Sequence, residues 1–401
     1  MRILVHDYSG HPFQAQLSRA LAARGHAVLH LHAPFFQTPK GNLAPAPGDP
    51  PGFAIEGVGL GAPFAKYSFV KRRAQEIAYG AILAGRAAAF GPEVVLCANA
   101  PLDALAGLAR WCRSARVPFV FWVQDLYSVA IDRLLRRRLG PLGAAIGAHY
   151  RALERCVARD AAALVLITED FRPTLEAWGV ERGRMTVIEN WAPLDELPPR
   201  PRDNDWARAE GLRDKTVLLY SGTLGMKHDP QRLAELARHF ARNAAVELVI
   251  VSEGPGAEWL ANVARADGLA NLRVLPFQPY AHYPDVLGSA DVLVAILEAD
   301  AGIFSVPSKV LSYFCAGRPI LASLPGANLA ARLITREEAG IVAEPDDANA
   351  FAAAAARLVA DPGLRARLGK NALDYARETF DIGAIATRFE AVFRAARAGT
   401  E

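Results

Sequence analysis

Short runs of consecutive apolar residues alternate along the chain with longer stretches of helical periodicity. The runs at 2–6, 28–32, 93–98, 117–122 and 162–167 have strand length and are apolar at successive positions, the pattern of strands buried on both faces of a parallel sheet. Between the first two, PFQAQLSRALAARG (12–25) repeats its apolar residues at helical spacing and stops at Gly25, so the chain opens as strand, helix, strand. A strand at 185–189 is followed by NWAPLDELPPRPRDND (190–205), a Pro- and charge-rich stretch unlike its surroundings and the best domain boundary. The alternation then restarts, with strands at 216–220, 246–251, 272–276, 291–296 and 319–323 and amphipathic helices such as 230–243 between them. The expected architecture is α/β: two Rossmann-like domains with doubly wound parallel sheets, over 1–195 and 206–380, with a cleft between them. The tail, including 381–401, either completes the second domain or crosses back to the first as a C-terminal helix.

Composition narrows the class. A chain of 401 residues, 52% hydrophobic and 22% charged, is long enough for two buried cores and lacks the polar bias of disorder. Forty-five basic against 42 acidic residues leave a net charge of +3, which argues against general nucleic-acid binding. Cys97, Cys112, Cys156 and Cys315 stand far apart without metal-like spacing, as core cysteines of a reducing compartment do. MRILVHDYSG reads as a strand and a polar turn instead of a secretion signal, and no run of about 20 apolar residues suggests a spanning helix. The expected location is the cytoplasm, with surface attachment to a membrane left open.

In an open parallel sheet the chemistry belongs to the loops after the carboxyl ends of the strands. After TVLLY comes SGTLGMKHDP, where Gly222 and Gly225 permit close backbone approach, Lys227 supplies a cation and Asp229-Pro230 start a helix. The loop suits a phosphate or a plain strand-to-helix turn, and it matches neither GxxxxGK[ST] nor GxGxxG. SEGPG (252–256) carries Glu253 and Gly254 at the next strand end. LPFQPYAHYPDVL (275–287) brings Phe277 and Gln278 to another, as a slot for a base or as core. LVAILEAD ends on Glu298. In GIFSVPSKVLSYFCAGRPILAS (302–323), Val310, Leu311, Phe314 and Cys315 form a buried stripe, leaving Ser308, Lys309 and Ser312 on another face. A helix start favours anions, so a lysine there points to an anionic ligand, the alternative being an exposed side chain. Without a DxD stretch or clustered His and Cys, a metal-free mechanism is favoured.

The first half offers Gly10 and His11 after the first strand, and Gln124 and Asp125 at the end of FWV. Asp125 fits an acceptor-orienting group or a helix cap. Arg133, Arg136, Arg137 and Arg138 adjoin an apolar, glycine-containing run, and 66–90 has the same basic and apolar character. Such a pair suits peripheral contact with anionic headgroups or solvated helix faces.

Taken in order, GHAV, LITEDFRPTLEAWGV…MTVIENW, YSGTLGMKHDP, LVIVSEGPG, NLRVLPFQPY, SADVLVAIL and PSKVLSYFCAGRPILAS resemble the GT-B glycosyltransferases of family 4. The similarity is greatest to the WbuB-like group of colanic acid, O-antigen and exopolysaccharide assembly. The resemblance implies retaining transfer of a sugar from a UDP- or GDP-sugar, with no further cofactor, to a polyprenyl-diphosphate-linked or other glycan at the inner face of the cytoplasmic membrane. It places Gly222, Thr223 and Lys227 near the diphosphate, Glu253, Gly254, Phe277 and Gln278 near the base, and Glu298 near the sugar. Asp125, Lys227 and Glu298 form the expected catalytic set, with Gly10, His11 and Gln124 on the acceptor side. The family's pair of glutamates is incomplete: Glu298 is present, but Val306 or Ser312 stands where the second carboxylate would be, so the ribose contact passes to Ser308, Lys309 or Ser312. Gln124 replaces the family's histidine, leaving front-face attack with the leaving phosphate as proton acceptor. A GT-B nucleotide-sugar epimerase or hydrolase, and a non-catalytic GT-B-like scaffold, are the alternatives.

Overall fold

Each apolar run becomes a strand because the helices joining consecutive parallel strands cover both faces of the sheet. The computed structural model describes residues 1–35, 42–61, 68–98, 100–225, 228–299 and 308–399. The chain forms two units, Met1–Asn190 with the chain from Ile382 onward, and Trp191–Asp381.

The first unit runs β1 (Arg2–Asp7), α1 (Pro12–Ala23), β2 (Ala27–His32), β3 (Phe53–Gly57), α2 (Phe69–Phe90), β4 (Val94–Ala98), α3 (Leu102–Ala115), β5 (Phe119–Val123), α4 (Tyr127–Asp160), β6 (Ala163–Leu166), α5 (Arg172–Ala177) and β7 (Met185–Val187). Its parallel sheet has the order β3-β2-β1-β4-β5-β6-β7. The second unit runs α6 (Asp205–Ala209), β8 (Thr216–Ser221), α7 (Pro230–His239), β9 (Val246–Val251), α8 (Pro255–Ala266), β10 (Leu272–Leu275), α9 (Tyr283–Gly288), β11 (Val292–Ile296), α10 (Lys309–Ala316), β12 (Ile320–Ser323), α11 (Leu329–Arg336), β13 (Gly340–Ala343), α12 (Ala348–Ala360) and α13 (Pro362–Thr379). Its sheet has the order β10-β9-β8-β11-β12-β13. Its core packs Leu218, Leu248, Ile250, Val292 and Val294 of the strands against Leu233, Leu236 and Phe351 of the helices.

The last helix, α14 (Ile382–Ala398), belongs to the first unit. The fully buried Phe389 meets Trp122 of β5 with ring centroids 4.8 Å apart. Glu390 accepts from His26 at 2.9 Å and pairs with Arg24 at 3.1 Å.

Two strands escape the apolar-run pattern. β3 and β13 are sheet edges with a single strand neighbour each, and their residues are mostly half-exposed or exposed, so FAIEG and GIVA need no long apolar run. α4 also differs from a continuous helix. Gly140 (φ 53°, ψ −128°) and Pro141 break it. The halves fold back on each other so closely that a Cβ on Gly147 would stand 2.2 Å from Asp132 Oδ1 and 2.8 Å from its Cα.

Candidate functional site

In the second sheet, β8 and β11 are neighbours from which the chain winds in opposite directions. A crevice opens at such a switch point, outside the carboxyl ends of the strands. The loop after β8 carries Gly222 and Thr223. Gly222 has φ 133°, a conformation that a side chain resists, and a Cβ there would lie 3.3 Å from Lys309 Nζ. The Lys309 side chain therefore reaches from the first residue of α10 to the end of β8.

There its ammonium lies 3.6 Å from the centroid of the Tyr220 ring and donates to the Tyr220 hydroxyl. The same hydroxyl donates to the Thr223 carbonyl at 2.9 Å, and Gly222 N–H donates to the Val251 carbonyl at 3.1 Å. Burial raises the Tyr220 pKa, keeping the phenol a neutral donor at ordinary pH. Below it, the fully buried Tyr313 hydroxyl accepts from Ser221 N–H at 3.1 Å and stands 3.2 Å from the Ser221 and Val294 carbonyls. One phenol thus ties β8 to β11. Tyr283 hydrogen-bonds Ser312 and Ser221, and burial pushes its pKa up to about 12.

Of the residues singled out by sequence, Gly222, Thr223 and Lys309 converge at this crevice. Ser312 is turned to Tyr283, and Ser308 precedes α10 as an exposed residue whose side chain makes no cap hydrogen bond. Glu298 follows β11 and lines a shallow cavity of about 160 Å³ with Asp229, Arg232, Ser323 and Asp346. On the other side of β8, Glu253 accepts from Phe277 N–H at 3.1 Å, joining the loops after β9 and β10 beside Gly254. Gln278 spends its amide inside the protein, accepting from the Trp206 indole at 3.2 Å and donating to the Pro276 carbonyl at 3.0 Å. Lys227 lies outside the described residues, as do Val306 and Pro307.

The first sheet has its switch point between β1 and β4. Gly10 (φ 74°) and His11 follow β1 in a loop wrapped over the fully buried Asp7, whose carboxylate accepts from Ser9 N–H at 3.0 Å and from His11 N–H. Burial raises the Asp7 pKa. The His11 ring stacks on Phe13 at 5.5 Å. Gln124 and Asn190 exchange two amide hydrogen bonds of 3.1 and 2.5 Å, joining the ends of β5 and β7. Asp125 stands next, half-buried. Behind it the fully buried Glu154, from the second half of α4, accepts from Tyr127 N–H at 3.1 Å and Ser128 N–H at 3.0 Å. Burial raises its pKa to about 7. Arg133, Arg136, Arg137 and Arg138 are all exposed on the first half of α4.

Sequence reasoning missed Tyr220, Tyr313, Asp7 and Glu154. The tyrosines sit inside apolar runs and read as core, while the two acids act through backbone N–H groups that side-chain spacing does not reveal. Among the described residues no group of three His, Cys, Asp or Glu could hold a metal ion.

Two family profiles match the chain: the glycosyl transferase 4-like domain over residues 11–191 and glycosyl transferases group 1 over residues 203–374. The chain belongs to the GT-B glycosyltransferases of family 4. Among curated relatives, alpha-D-kanosaminyltransferase of Streptomyces kanamyceticus is 27% identical over 60% of this chain and 62% of its own. The probable glycosyltransferase WbjE of Pseudomonas aeruginosa is 26% identical over 51% of this chain and 52% of its own. This chain thus spans between half and two thirds of the length of these two relatives. Among solved structures, sucrose-phosphate synthase from Thermosynechococcus elongatus superposes with a TM-score of 0.73 at 17% identity, covering 100% of both chains. HepE of Anabaena in complex with UDP-glucose gives 0.70 at 16% identity, covering 98% of this chain and 100% of its own. These likenesses show the fold: two α/β domains of GT-B type.

Proposed function

We propose that this protein transfers a sugar from a UDP- or GDP-sugar to a lipid-linked glycan acceptor in the assembly of a surface polysaccharide, with retention of configuration. The observation that carries the reading is the Lys309 ammonium held beside Gly222 at the switch point of the second sheet. A positive side chain, a glycine that lets a ligand approach the backbone, and the N-terminus of α10 suit a diphosphate. In this reading Lys227 and Lys309 neutralise the diphosphate, Gly222 and Thr223 border it, and no metal is needed. Glu253, Gly254 and Phe277 meet the base, with Gln278 shaping that slot through its own internal bonds. Ser308 and Ser312 border the ribose, and Glu298 meets the sugar.

On the acceptor side the reading assigns Gly10, His11 and Gln124 to shaping the site and Asp125 to orienting the incoming hydroxyl. The bond from the anomeric carbon to the diphosphate oxygen breaks, the acceptor oxygen bonds the same face, and its proton passes to the departing phosphate oxygen. Lys309 and Lys227 stabilise the charge that develops there. HepE, similar in fold, was solved with UDP-glucose. A polyprenyl-linked acceptor would be met at the cytoplasmic membrane, which makes the protein a peripheral one.

The test is transfer from radiolabelled UDP- and GDP-sugars to a polyprenyl-diphosphate-linked glycan fraction in EDTA, with the product anomer read by NMR. Acceptor-dependent transfer with retention is the expected result. Donor consumption without acceptor would replace the reading with a hydrolase or epimerase, and no turnover of any donor would replace it with a scaffold.

A further inference from the structure

We infer that Glu154 is a positioning residue of the acceptor site, holding from the far side of the α4 hairpin the segment that presents Asp125. It rests on the reading of Asp125 as the group that orients the incoming hydroxyl. Asp125 stands half-buried between the end of β5 and the start of α4. Each flank of it is fastened to a residue distant in sequence. Before it, Gln124 exchanges its two amide hydrogen bonds with Asn190, 66 residues further on. After it, Tyr127 and Ser128 donate their backbone N–H groups to the two carboxylate oxygens of Glu154, at 3.1 and 3.0 Å.

A helix leaves the N–H groups of its first turn without intrahelical partners, and a side chain at the N-cap ordinarily takes them. Here the N-cap is Leu126, whose side chain has no oxygen, and the first turn holds no acid. Val129 and Ala130 N–H reach the Leu126 carbonyl at 3.1 and 3.4 Å. Tyr127 and Ser128 N–H remain, and these are the two that Glu154 accepts. Burying a carboxylate is unfavourable even when it is hydrogen-bonded, so an apolar residue at 154 with a local Ser or Asp cap would start the helix at less cost. Such a cap would move with its helix. A cap from 26 residues further on fixes where the helix begins, and with it the residue just before.

Glu154 arrives there because α4 turns back at Gly140-Pro141. The two halves lie so close that a Cβ on Gly143 would run into the Leu135 carbonyl, and Asp132 of the first half pairs with Arg151 of the second at 3.2 Å. The second half is itself held from outside the hairpin. Tyr150, one turn before Glu154, donates to the buried Asp103 of α3 at 3.0 Å. Burial, and after it the charges of Asp125 and Glu154, raise the Tyr127 pKa, so both carboxylates bear on the same phenol. A firm hold suits an orienting group, since a displacement on the order of 1 Å can lower a rate about a hundredfold.

The test compares wild type, Asp125→Asn, Glu154→Gln and the double variant in transfer from radiolabelled UDP- and GDP-sugars to a polyprenyl-diphosphate-linked glycan fraction. Circular dichroism checks the folding of each, and nucleotide-induced thermal shift checks its donor site. Glu154→Gln keeps the length of the side chain and one acceptor oxygen but turns an amide donor toward the second backbone N–H. Its kcat should fall about tenfold or more, with the donor KM and the nucleotide shift within about twofold of wild type. The double variant should be no slower than Asp125→Asn alone, because Glu154 acts through Asp125. Leu83→Ala, which opens a cavity under α2 in the same unit, should lower the melting temperature at least as far and leave kcat within about twofold. Should Glu154→Gln not fold, Glu154→Asp, one methylene too short to meet both N–H groups, carries the same comparison. A wild-type kcat in Glu154→Gln beside an impaired Asp125→Asn would overturn the inference alone, as would losses that multiply in the double variant or an equal loss in Leu83→Ala. Full activity in Asp125→Asn would overturn the role given to Asp125, and no transfer by wild type would overturn the proposed function itself; either removes the ground for the inference.

Discussion

The ammonium of Lys309 rests 3.6 Å from the ring centroid of Tyr220 and donates to its hydroxyl. A lysine at the start of α10 opposes the dipole of its own helix, so its place there needs another source of stabilisation. The aromatic face supplies part of it, about 1–2 kcal/mol for a half-buried pair. The phenol passes the restraint on to the Thr223 carbonyl at 2.9 Å. Tyr220→Phe keeps the ring and deletes the relay, so it should cost about 1 kcal/mol of stability and loosen the loop after β8. Urea unfolding and hydrogen exchange at the amides of 222–225 check this. Unchanged exchange would remove Tyr220 as the anchor of the loop.

Gly222→Ala forces a side chain into φ 133° and toward Lys309, whose Cε would stand 3.2 Å from the new methyl group. The strain should cost about 1–3 kcal/mol and displace the lysine. A lowered melting temperature together with weakened nucleotide binding is expected. Full binding in a stable variant would show that the local conformation is dispensable.

Glu154 supplies a prediction of opposite sign to ordinary acid denaturation. Its pKa rises from 4.5 to about 7 on folding because burial penalises the carboxylate. The folded state then holds the proton more tightly than the unfolded state. This contribution to stability is fully present below pH 4.5 and is lost as pH rises through about 7. In Glu154→Gln the effect should vanish, so the stability of wild type relative to the variant should fall between those pH values. Parallel curves by urea titration would contradict the assignment.

His6 and His30 act in the other direction. Both are fully buried, His6 between Cys97 and Tyr79 and His30 on Ser18, and desolvation lowers each pKa from 6.5 to about 3. The unfolded chain binds these protons first, so stability is lost as pH falls from 6.5 toward 3. Relative to His30→Asn, wild type should lose stability across that window. A constant difference between the two proteins would show that His30 does not titrate on unfolding.

Much of this was legible in the chain because buried parallel strands announce themselves as apolar runs. The runs at 246–251 and 291–296 became β9 and β11. The edge strands β3 and β13 were not legible, since an edge asks less of its residues. Nor was the α4 hairpin, because Gly140 and Pro141 interrupt a pattern that is helical on both sides. In the site, Lys309 stood out by charge in an apolar stretch. Its partner Tyr220 did not, because a tyrosine at the end of a buried strand reads as core until the fold brings the two together.

A crevice beside Gly222 and Lys309 that holds a nucleoside diphosphate should be stabilised by it. Thermal-shift titration with UDP, GDP, ADP, CMP and dTDP in EDTA, comparing wild type with Lys309→Ala, tests it most directly. A selective shift by UDP or GDP should appear, about 2.7 kcal/mol of stabilisation at about 100 times the dissociation constant. Loss of a charged hydrogen bond in Lys309→Ala should weaken binding by about 1.5–3 kcal/mol. No shift with any nucleotide in folded wild type would rule the diphosphate out of this crevice, and an equal shift in Lys309→Ala would move it away from this lysine.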